Sequence, residues 1–419
     1  MRQGWCGGYG IWDKHGPIAK TPSIRQVSGA RRSLAKSEIV LRPRVLLLGG
    51  DGARSGVPRY LDQLTETLAG EVDLTILSDH NLGGYDNVAG AGAAHIELEG
   101  LRNSKNPLRL WRGWTGALRQ VREGAWDVIW LHARLPALML RVALALRLWR
   151  PSAGTRLILS YHGIPFDPGH RVWAAWASRR VERVLLRLSP PMHLVFLSSD
   201  MASRLCAVAG PRALQGHCVH VLPNSSNLGR LPLRVSDRDE RQLVITGRAG
   251  YQKNYPLAAR LMNHMPANYV LTLCGTGTDD PTFQARILRE VAPGTQAQIR
   301  FAGSLPDVRD VLAEADGYLL TSRYEGVPIG AIEAFESGLP IVLSPFEAAP
   351  EMVAAHPMAI CLSLRDLAED AKRITRLIEK YVQDRPRAAA RIRAAWWRKY
   401  PYGVWQVRVR RLMLEILAD

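Results

Sequence analysis

The chain has 419 residues, of which 47% are apolar, and a formal net charge of +17. This length allows two domains with separate cores, and the apolar content excludes an intrinsically disordered chain. The five cysteines show no paired spacing, which argues against a disulfide framework or a zinc motif and favours a reducing compartment such as the cytoplasm.

The N-terminal sequence predicts neither secretion nor membrane insertion. MRQGWCGGYGIWDK has no apolar run of the length that a signal peptide needs, and no stretch of about 18 uncharged apolar residues occurs in the chain. Residues 1–40 are rich in Gly, Ser and basic residues without a sustained period. We therefore expect them to form a flexible extension.

The positive charge is concentrated in two segments. Residues 101–160 hold eleven Lys/Arg against two acids, and residues 372–411 hold thirteen against two. This distribution predicts one basic surface, whose partner would be an anionic membrane, a nucleic acid or an anionic substrate.

Residues 41–228 have the pattern of a Rossmann-like domain. A buried strand over 44–48 precedes a Gly-rich loop over 49–56 and a helix over 57–68. Further Val/Ile/Leu runs are typical of parallel strands covered on both faces. Ligands collect at the carboxyl ends of such strands. The polar residues that follow these runs include His132, His162 and Asn224.

A basic amphipathic helix is predicted over 108–122. Its apolar stripe would contain Trp111, Trp114, Leu118 and Val121. Arg109 and Arg119 would lie on the opposite face. Such a helix either lies on an anionic membrane or buries its apolar stripe against the protein.

The pattern restarts after a polar segment, 229–239, which we interpret as a linker between domains. Residues 240–393 again alternate strands and helices and predict a second Rossmann-like domain. A basic, Trp-rich helical pattern interrupted near Pro401 occupies residues 394–419.

The stretch 321–337, TSRYEGVPIGAIEAFES, contains two glutamates eight residues apart, Glu325 and Glu333. A helix spacing of about 1.5 Å per residue separates them by about 12 Å, too far for a close acid/base pair. The helix start between them offers free backbone N–H groups to an anion such as a diphosphate. Arg248 and Lys253, on a loop at the same sheet edge, would add positive charge.

Such a site fits an elongated ligand with a diphosphate in its middle, as a nucleotide sugar has. No acidic Asp-x-Asp pair occurs in a suitable loop, so we expect the cations to come from the protein and not from a metal ion. Taken one at a time, both glutamates could equally be ordinary helix-start and surface residues.

The C-terminal half resembles the retaining glycosyltransferases of family 4, which have the GT-B fold. The resemblance rests on GRAGYQKN, CGTG, IRFAGSLPDVRDVLAEAD, SRYEGVPIGAIEAFESGLPIV and the Pro-Glu pair at 350–351, in the order of the family. DVIWLHAR, LSYHG, FLSSD and VLPNSS resemble strand ends of the N-terminal half. The resemblance implies two Rossmann-like parallel-sheet domains that face a central cleft, with a C-terminal helix that crosses back to the N-terminal domain.

The resemblance also implies roles for individual residues. Glu325 would contact the donor sugar, Glu333 the ribose, and Arg248 and Lys253 the leaving diphosphate, while His162 would lie beside sugar and acceptor. Other donor-binding positions would be Gly247, Gly275, Gly326, Val327, Pro328, Ile329 and Gly330, and the acceptor side would include Gly56, His132 and Asn224.

These features predict a metal-independent transferase without a cofactor, which moves a sugar from a UDP- or GDP-linked donor to a glycan or lipid-linked acceptor in polysaccharide or cell-surface glycan synthesis. The basic surface would place it peripherally on the cytoplasmic face of the cell membrane. A non-catalytic GT-B protein that binds a sugar or a partner is the alternative. A nucleic-acid-binding protein is a remote one, since no helix-turn-helix, zinc finger or aromatic/basic strand pattern is found.

Overall fold

The computed structural model describes residues 42–166, 171–232 and 239–419. The predicted extension 1–40 lies outside the described residues, as do positions 233–238 of the predicted linker. Within the described ranges the chain forms two parallel β-sheets with helices packed on them, which confirms the predicted α/β fold with two Rossmann-like domains.

The first sheet belongs to the N-terminal domain. Its strands are β1 Arg44–Leu48, β2 Asp73–Ser78, β3 Ala94–Glu97, β4 Val128–Leu131, β5 Arg156–Tyr161, β6 His193–Phe196 and β7 Cys218–Val221. They pair in parallel in the order β3-β2-β1-β4-β5-β6-β7. The apolar run in β1 is almost completely buried because helices cover both faces of the sheet.

The helices of this domain follow the strands as crossover connections. They are α1 Gly56–Leu68, α2 Pro107–Glu123, α3 Arg134–Ala145, α4 Val172–Leu188, α5 Ser199–Ala209 and α6 Pro211–Leu214. Asn106 caps α2 by accepting hydrogen bonds from the backbone N–H groups of Leu108 and Arg109, which is why this helix begins where it does.

The second sheet has the same parallel arrangement. Its strands are β8 Arg241–Thr246, β9 Tyr269–Cys274, β10 Ile299–Gly303, β11 Gly317–Leu320, β12 Ile341–Leu343 and β13 Ala359–Cys361. They pair in the order β10-β9-β8-β11-β12-β13. The helices between and after them are α7 Tyr255–Met262, α8 Pro281–Leu288, a 3₁₀ helix Pro293–Gln298, α9 Arg309–Ala313, α10 Ile329–Ser337, α11 Ala349–Ala355 and α12 Leu367–Gln383.

Two helices close the chain, α13 Arg385–Lys399 and α14 Tyr402–Ala418, and Pro401 separates them. Their apolar faces pack on different domains. Trp396 of α13 joins the core around α10, whereas Trp405 and Val409 of α14 join the core around α1 and β1. The helix that returns to the N-terminal domain is therefore α14, with Arg410 Nε 2.7 Å from a carboxylate oxygen of Glu71.

The predicted stripe on α2 is partly wrong. Leu118 and Val121 are buried as expected, but the Trp111 side chain is 57% exposed. The sequence pattern predicts Arg109 on the solvent face, yet its Nη2 lies 3.2 Å from the fully buried Asp79 carboxylate. Asp79, the residue after β2, is buried, and its charge is stabilised by this guanidinium together with the backbone N–H groups of Gly100 and Arg102. No helix within the described ranges combines the length and apolarity needed to cross a membrane.

Candidate functional site

The carboxyl edges of the two sheets meet, and the predicted site residues lie along them. Asn224, after β7, donates a hydrogen bond from Nδ2 to the backbone oxygen of Val327 at 2.5 Å. Gly326 packs directly on the loop after β5, since a Cβ at this position would lie 2.4 Å from the backbone oxygen of His162. Asn224, predicted on the acceptor side, and His162, predicted beside the reacting sugar, thus contact the predicted donor loop across the domain boundary.

Lys253 and Glu325 form an ion pair at this edge. Lys253 Nζ lies 2.8 Å from Glu325 Oε1, and both side chains are largely buried. Gln252 donates to the other carboxylate oxygen at 3.1 Å, and the Ser322 hydroxyl donates to Oε1 at 2.7 Å. Three donors from two loops therefore hold Glu325 in one orientation, with the ammonium group beside it.

Glycines allow the two loops to approach each other. Gly247 and Gly275 adopt φ values of +147° and +139°, which side chains rarely tolerate. A Cβ at Gly275 would lie 2.0 Å from the backbone oxygen of Gly247, and one at Gly247 would lie 2.4 Å from Lys253 Cε. These two positions keep the Lys253 side chain against the backbone and leave its end at the sheet edge.

The start of α10 is built by the rest of the predicted donor loop. Pro328 precedes the helix with extended backbone and Ile329 is its first residue. Gly330 packs against the hydrogen-bonded hydroxyls of Thr246 and Tyr318, since a Cβ there would meet them at 2.4 and 2.5 Å. The first turn of α10 is therefore fixed directly over β8 and β11.

Two ion pairs join the domains across the site. Arg248 Nη1 lies 2.9 Å from Asp51 Oδ2, in the loop after β1, and Arg59 Nη2 of α1 lies 3.3 Å from Glu333 Oε1. Neither Asp51 nor Arg59 is among the residues predicted from the sequence. Asp51 follows a strand in the same way as the predicted histidines, so the sheet-edge argument could have found it. Nothing in the sequence signals Arg59, because its role depends on how the domains pack.

Glu333 is buried in the first turns of α10, and this burial raises the pKa of its carboxyl to about 7, while the neighbouring Arg59 limits the rise. Glu336, one turn further, accepts hydrogen bonds from the backbone N–H groups of Leu228 and Gly229 at 3.0 and 2.9 Å. The second carboxylate of the predicted pair is thus held inside the protein, unlike an ordinary surface glutamate.

This raised pKa predicts a pH effect on stability. The folded protein holds the Glu333 proton more tightly than the unfolded chain, so the free energy of unfolding should fall as pH rises from 4.5 to about 7. The fall attributable to this group is on the order of 3 kcal/mol at most. Urea unfolding at several pH values should show that Glu333→Gln removes this fall in the free energy of unfolding with rising pH. Glu290→Gln, at a half-buried position, serves as the control. Parallel curves for wild type and Glu333→Gln would contradict this.

His132 and His162 follow adjacent strands and contact each other. Nδ1 of His132 lies 3.2 Å from Nε2 of His162, and the Tyr60 ring packs edge-on against His162 with ring centroids 4.8 Å apart. Burial lowers the pKa of His162 to about 4 and that of His132 well below its usual value. Both rings are therefore neutral at physiological pH, so they can orient a hydroxyl group by hydrogen bonding but add no positive charge.

Gly56 is placed differently from the prediction. The sequence predicts it in a loop, but it is the first residue of α1. The position of a Cβ on Gly56 has no atom within 4 Å, so this end of the helix borders open space. Arg59, three residues later on the same turn, carries the contact to Glu333.

One group of described residues has the composition of a metal site. Potential ligand atoms of His193, Cys218 and Asp419 all lie within 4.8 Å of one another. His193 and Cys218 are the first residues of β6 and β7, which is the amino edge of the first sheet. This group therefore lies at the opposite end of the strands from the candidate site and has no part in it.

Comparison with known proteins separates the chain into two matched regions. Residues 54–230 match the family model "Glycosyltransferase Family 4", and residues 240–380 match the model "Glycosyl transferases group 1". Both models describe glycosyltransferases, so residues 54–230 and 240–380 are a pair of glycosyltransferase regions. Residues 231–239, between the two matched regions, belong to the segment that the sequence predicts as a linker.

A curated relative agrees with this family assignment. Glycogen synthase of Mycobacterium tuberculosis is 29% identical over 255 residues, an alignment that covers 57% of each protein. This chain therefore spans little more than half the length of that relative.

Solved structures support the GT-B fold of the glycosyltransferase pair. Sucrose-phosphate synthase from Thermosynechococcus elongatus superimposes with a TM-score of 0.70 at 15% identity, covering 90% of this chain and all of that chain. Anabaena HepE in complex with UDP-glucose gives 0.68 at 14% identity, covering 89% and 99%. WaaG, a glycosyltransferase involved in lipopolysaccharide biosynthesis, gives 0.62 at 13% identity, covering 87% and 98%. The predicted GT-B architecture is confirmed.

Proposed function

We propose that this protein is a retaining glycosyltransferase that transfers a sugar from a UDP- or GDP-linked donor to a glycan or lipid-linked acceptor in polysaccharide or cell-surface glycan synthesis. The observation that carries the proposal is the Lys253–Glu325 pair at the carboxyl edge of the second sheet, opposite His162. The two glycosyltransferase matches support the reaction class. The UDP and UDP-glucose complexes of Anabaena HepE support a nucleotide-sugar donor.

In the proposed reaction, the diphosphate binds at the start of α10 between Arg248 and Lys253. The acceptor hydroxyl attacks the anomeric carbon on the face from which the diphosphate leaves, and a phosphate oxygen takes the hydroxyl proton. The bond from the sugar to the diphosphate breaks as the new glycosidic bond forms, so no protein nucleophile is required. Lys253 and Arg248 stabilise the negative charge that develops on the leaving group.

The carboxylates and histidines would position the two substrates. Glu325 accepts hydrogen bonds from donor sugar hydroxyls, and Glu333 accepts them from the ribose. His162, neutral and supported by His132, orients a hydroxyl group near the reacting carbon. Because Arg248 and Lys253 supply positive charge from the protein, we propose that no metal ion takes part.

We further propose that the enzyme works peripherally at the cytoplasmic face of the cell membrane, where a lipid-linked acceptor would be located. The concentration of arginines in residues 101–160 of the N-terminal domain supports an anionic membrane as partner.

A ligand screen tests the donor class. UDP, GDP or one of their sugars should raise the melting temperature, because a ligand at about 100 times its dissociation constant stabilises the folded state by about 2.7 kcal/mol. The shift should persist with EDTA, and NMR of the product should show the donor's anomeric configuration. ADP-sugars and free sugars serve as controls. A shift with no nucleotide, or an inverted product, would contradict the proposal, and donor binding without turnover would favour the non-catalytic alternative.

A further inference from the structure

Helix α4 presents an apolar and basic face to the outside of the N-terminal domain. Trp173 and Trp176 are 69% and 59% exposed, although tryptophan is usually among the more buried side chains. The exposed apolar residues of this one helix are Val172, Trp173, Trp176, Val181, Val184 and Leu188. Clusters of exposed apolar side chains are a mark of interaction sites.

The spacing of these residues makes a stripe along the helix. Trp173, Trp176, Arg180, Val184 and Arg187 follow one another at intervals of three or four residues, so they share one face. The Arg180 guanidinium lies 5.0 Å above the centre of the Trp176 ring, a cation–π contact that keeps charge and ring together at the surface.

The charge on this outer face is of one sign. Helix α4 contains four arginines and a single acid, Glu182. Glu182 points inward and is buried, with its carboxylate oxygen 2.8 Å from Arg141 Nη2 of α3 and a hydrogen bond from the Tyr161 hydroxyl at 3.0 Å. No acid of this fully described helix therefore offsets the exposed arginines.

We propose that α4 lies flat on an anionic phospholipid surface, with its tryptophans in the headgroup region and with Arg180 and Arg187 against lipid phosphates. Tryptophan favours the membrane interface because its ring is apolar and its N–H is polar, and each basic residue near an anionic surface strengthens binding. Membrane binding by α4 does not depend on the proposed function, but its benefit does: it would bring the acceptor side of the cleft to the lipid.

The position of α4 fits that purpose. The helix follows the connection that leaves β5, and Val172 comes ten residues after His162 in the chain. Arg134 at the start of α3, two residues after His132, donates to the Ser178 hydroxyl of α4 at 3.3 Å. The helix is thus tied to the loops that carry the acceptor-side histidines.

Helix α2, which the sequence favoured for membrane binding, is less suited to it. Its Arg109 pairs with the buried Asp79, and Arg119 Nε lies 2.9 Å from the Glu123 carboxylate on the same helix. Trp111 is exposed, however, so α2 provides a matched control for the loss of an exposed tryptophan.

The test is sedimentation of the full chain with vesicles of phosphatidylcholine alone or mixed with phosphatidylglycerol. Wild type should bind the anionic vesicles, and added salt should weaken that binding. Arg180→Ala combined with Arg187→Ala should lower the partition coefficient about 30-fold, and Trp173→Ala combined with Trp176→Ala should also lower it strongly. Trp111→Ala should bind like wild type.

Nucleotide-induced thermal shifts of the same variants separate this inference from the proposed function. The inference is supported if the α4 variants lose vesicle binding while their nucleotide-induced thermal shift is unchanged. It is also supported if the wild type binds vesicles but no nucleotide, a result that would refute only the proposed glycosyltransferase function. Equal binding to neutral and anionic vesicles, or loss with Trp111→Ala but not with the α4 variants, would overturn it. The inference would also be overturned if the wild type binds no vesicles but forms a dimer that the α4 substitutions dissociate. The exposed face of α4 would then be a contact between copies of the chain.

Discussion

Lys253→Ala is expected to lower kcat for sugar transfer about 10²- to 10³-fold, the usual loss when one preorganised charge or donor at the developing anion is removed. Lys253 Nζ lies 2.8 Å from Glu325 and is largely buried, so its charge acts in a region shielded from water. Glu325→Ala should cause a loss of similar size, because it removes the group proposed to hold the donor sugar. Steady-state kinetics with the donor identified by the thermal-shift screen measures both effects.

The fold should survive these substitutions. In the Lys253 variant, Glu325 still accepts hydrogen bonds from Gln252 and Ser322, so the carboxylate is not left without partners. Arg260→Ala on α7 is the control, since this exposed side chain pairs only with Glu290 among the contacts seen in the structure and lies away from the sheet edge. Wild-type kcat in the Lys253 variant would show that another group stabilises the leaving diphosphate.

Arg141→Met is expected to destabilise the protein by about 3–5 kcal/mol, because it leaves the Glu182 carboxylate buried without its cation. The two residues are 2% and 8% exposed, and their side chains are joined by contacts of 2.8 and 3.1 Å. The sequence shows Arg141 only as an interruption in an apolar segment. In the structure it ties α3 to α4, the helix proposed to lie on the membrane.

A double variant separates loss of the pair from loss of packing. Arg141→Met combined with Glu182→Gln removes the uncompensated charge and keeps an acceptor for the Tyr161 hydroxyl, so it should recover most of the stability. Urea unfolding followed by circular dichroism measures both variants. Equal destabilisation of the single and double variants would mean that the packing of the arginine stem, and not its charge, is the main contribution.

Most of the fold could be predicted from local patterns. Val/Ile/Leu runs such as β1 and β4 mark strands that are covered on both faces, and polar residues after them mark the carboxyl edge. The periodicity predicts the start of α1 to within one residue. The short strand β3 was missed, because its four residues, AHIE, are half-buried at the edge of the sheet and carry no apolar run.

The candidate site was predicted only where its residues follow strands of one sheet. Lys253 and Glu325 both lie in loops that follow strands of the same parallel sheet, so the sequence alone indicates that they share one edge. Asp51 and Arg59 belong to the N-terminal domain. Their partners, Arg248 and Glu333, belong to the second domain and lie about 200 residues or more further along the chain. Contacts over such separations have no periodicity or spacing that a single sequence could reveal.

The sequence by itself determined the two parallel-sheet domains, the loop that holds Glu325 and the concentration of positive charge, because these depend on local periodicity and composition. Tertiary structure decided which charges face solvent. Arg109 turns inward to Asp79, Arg141 pairs with Glu182 inside the domain, and α4 is left with tryptophans and arginines outside. The physical reason is that a helix pattern shows which residues share a face, whereas the packing of its neighbours determines which face is covered.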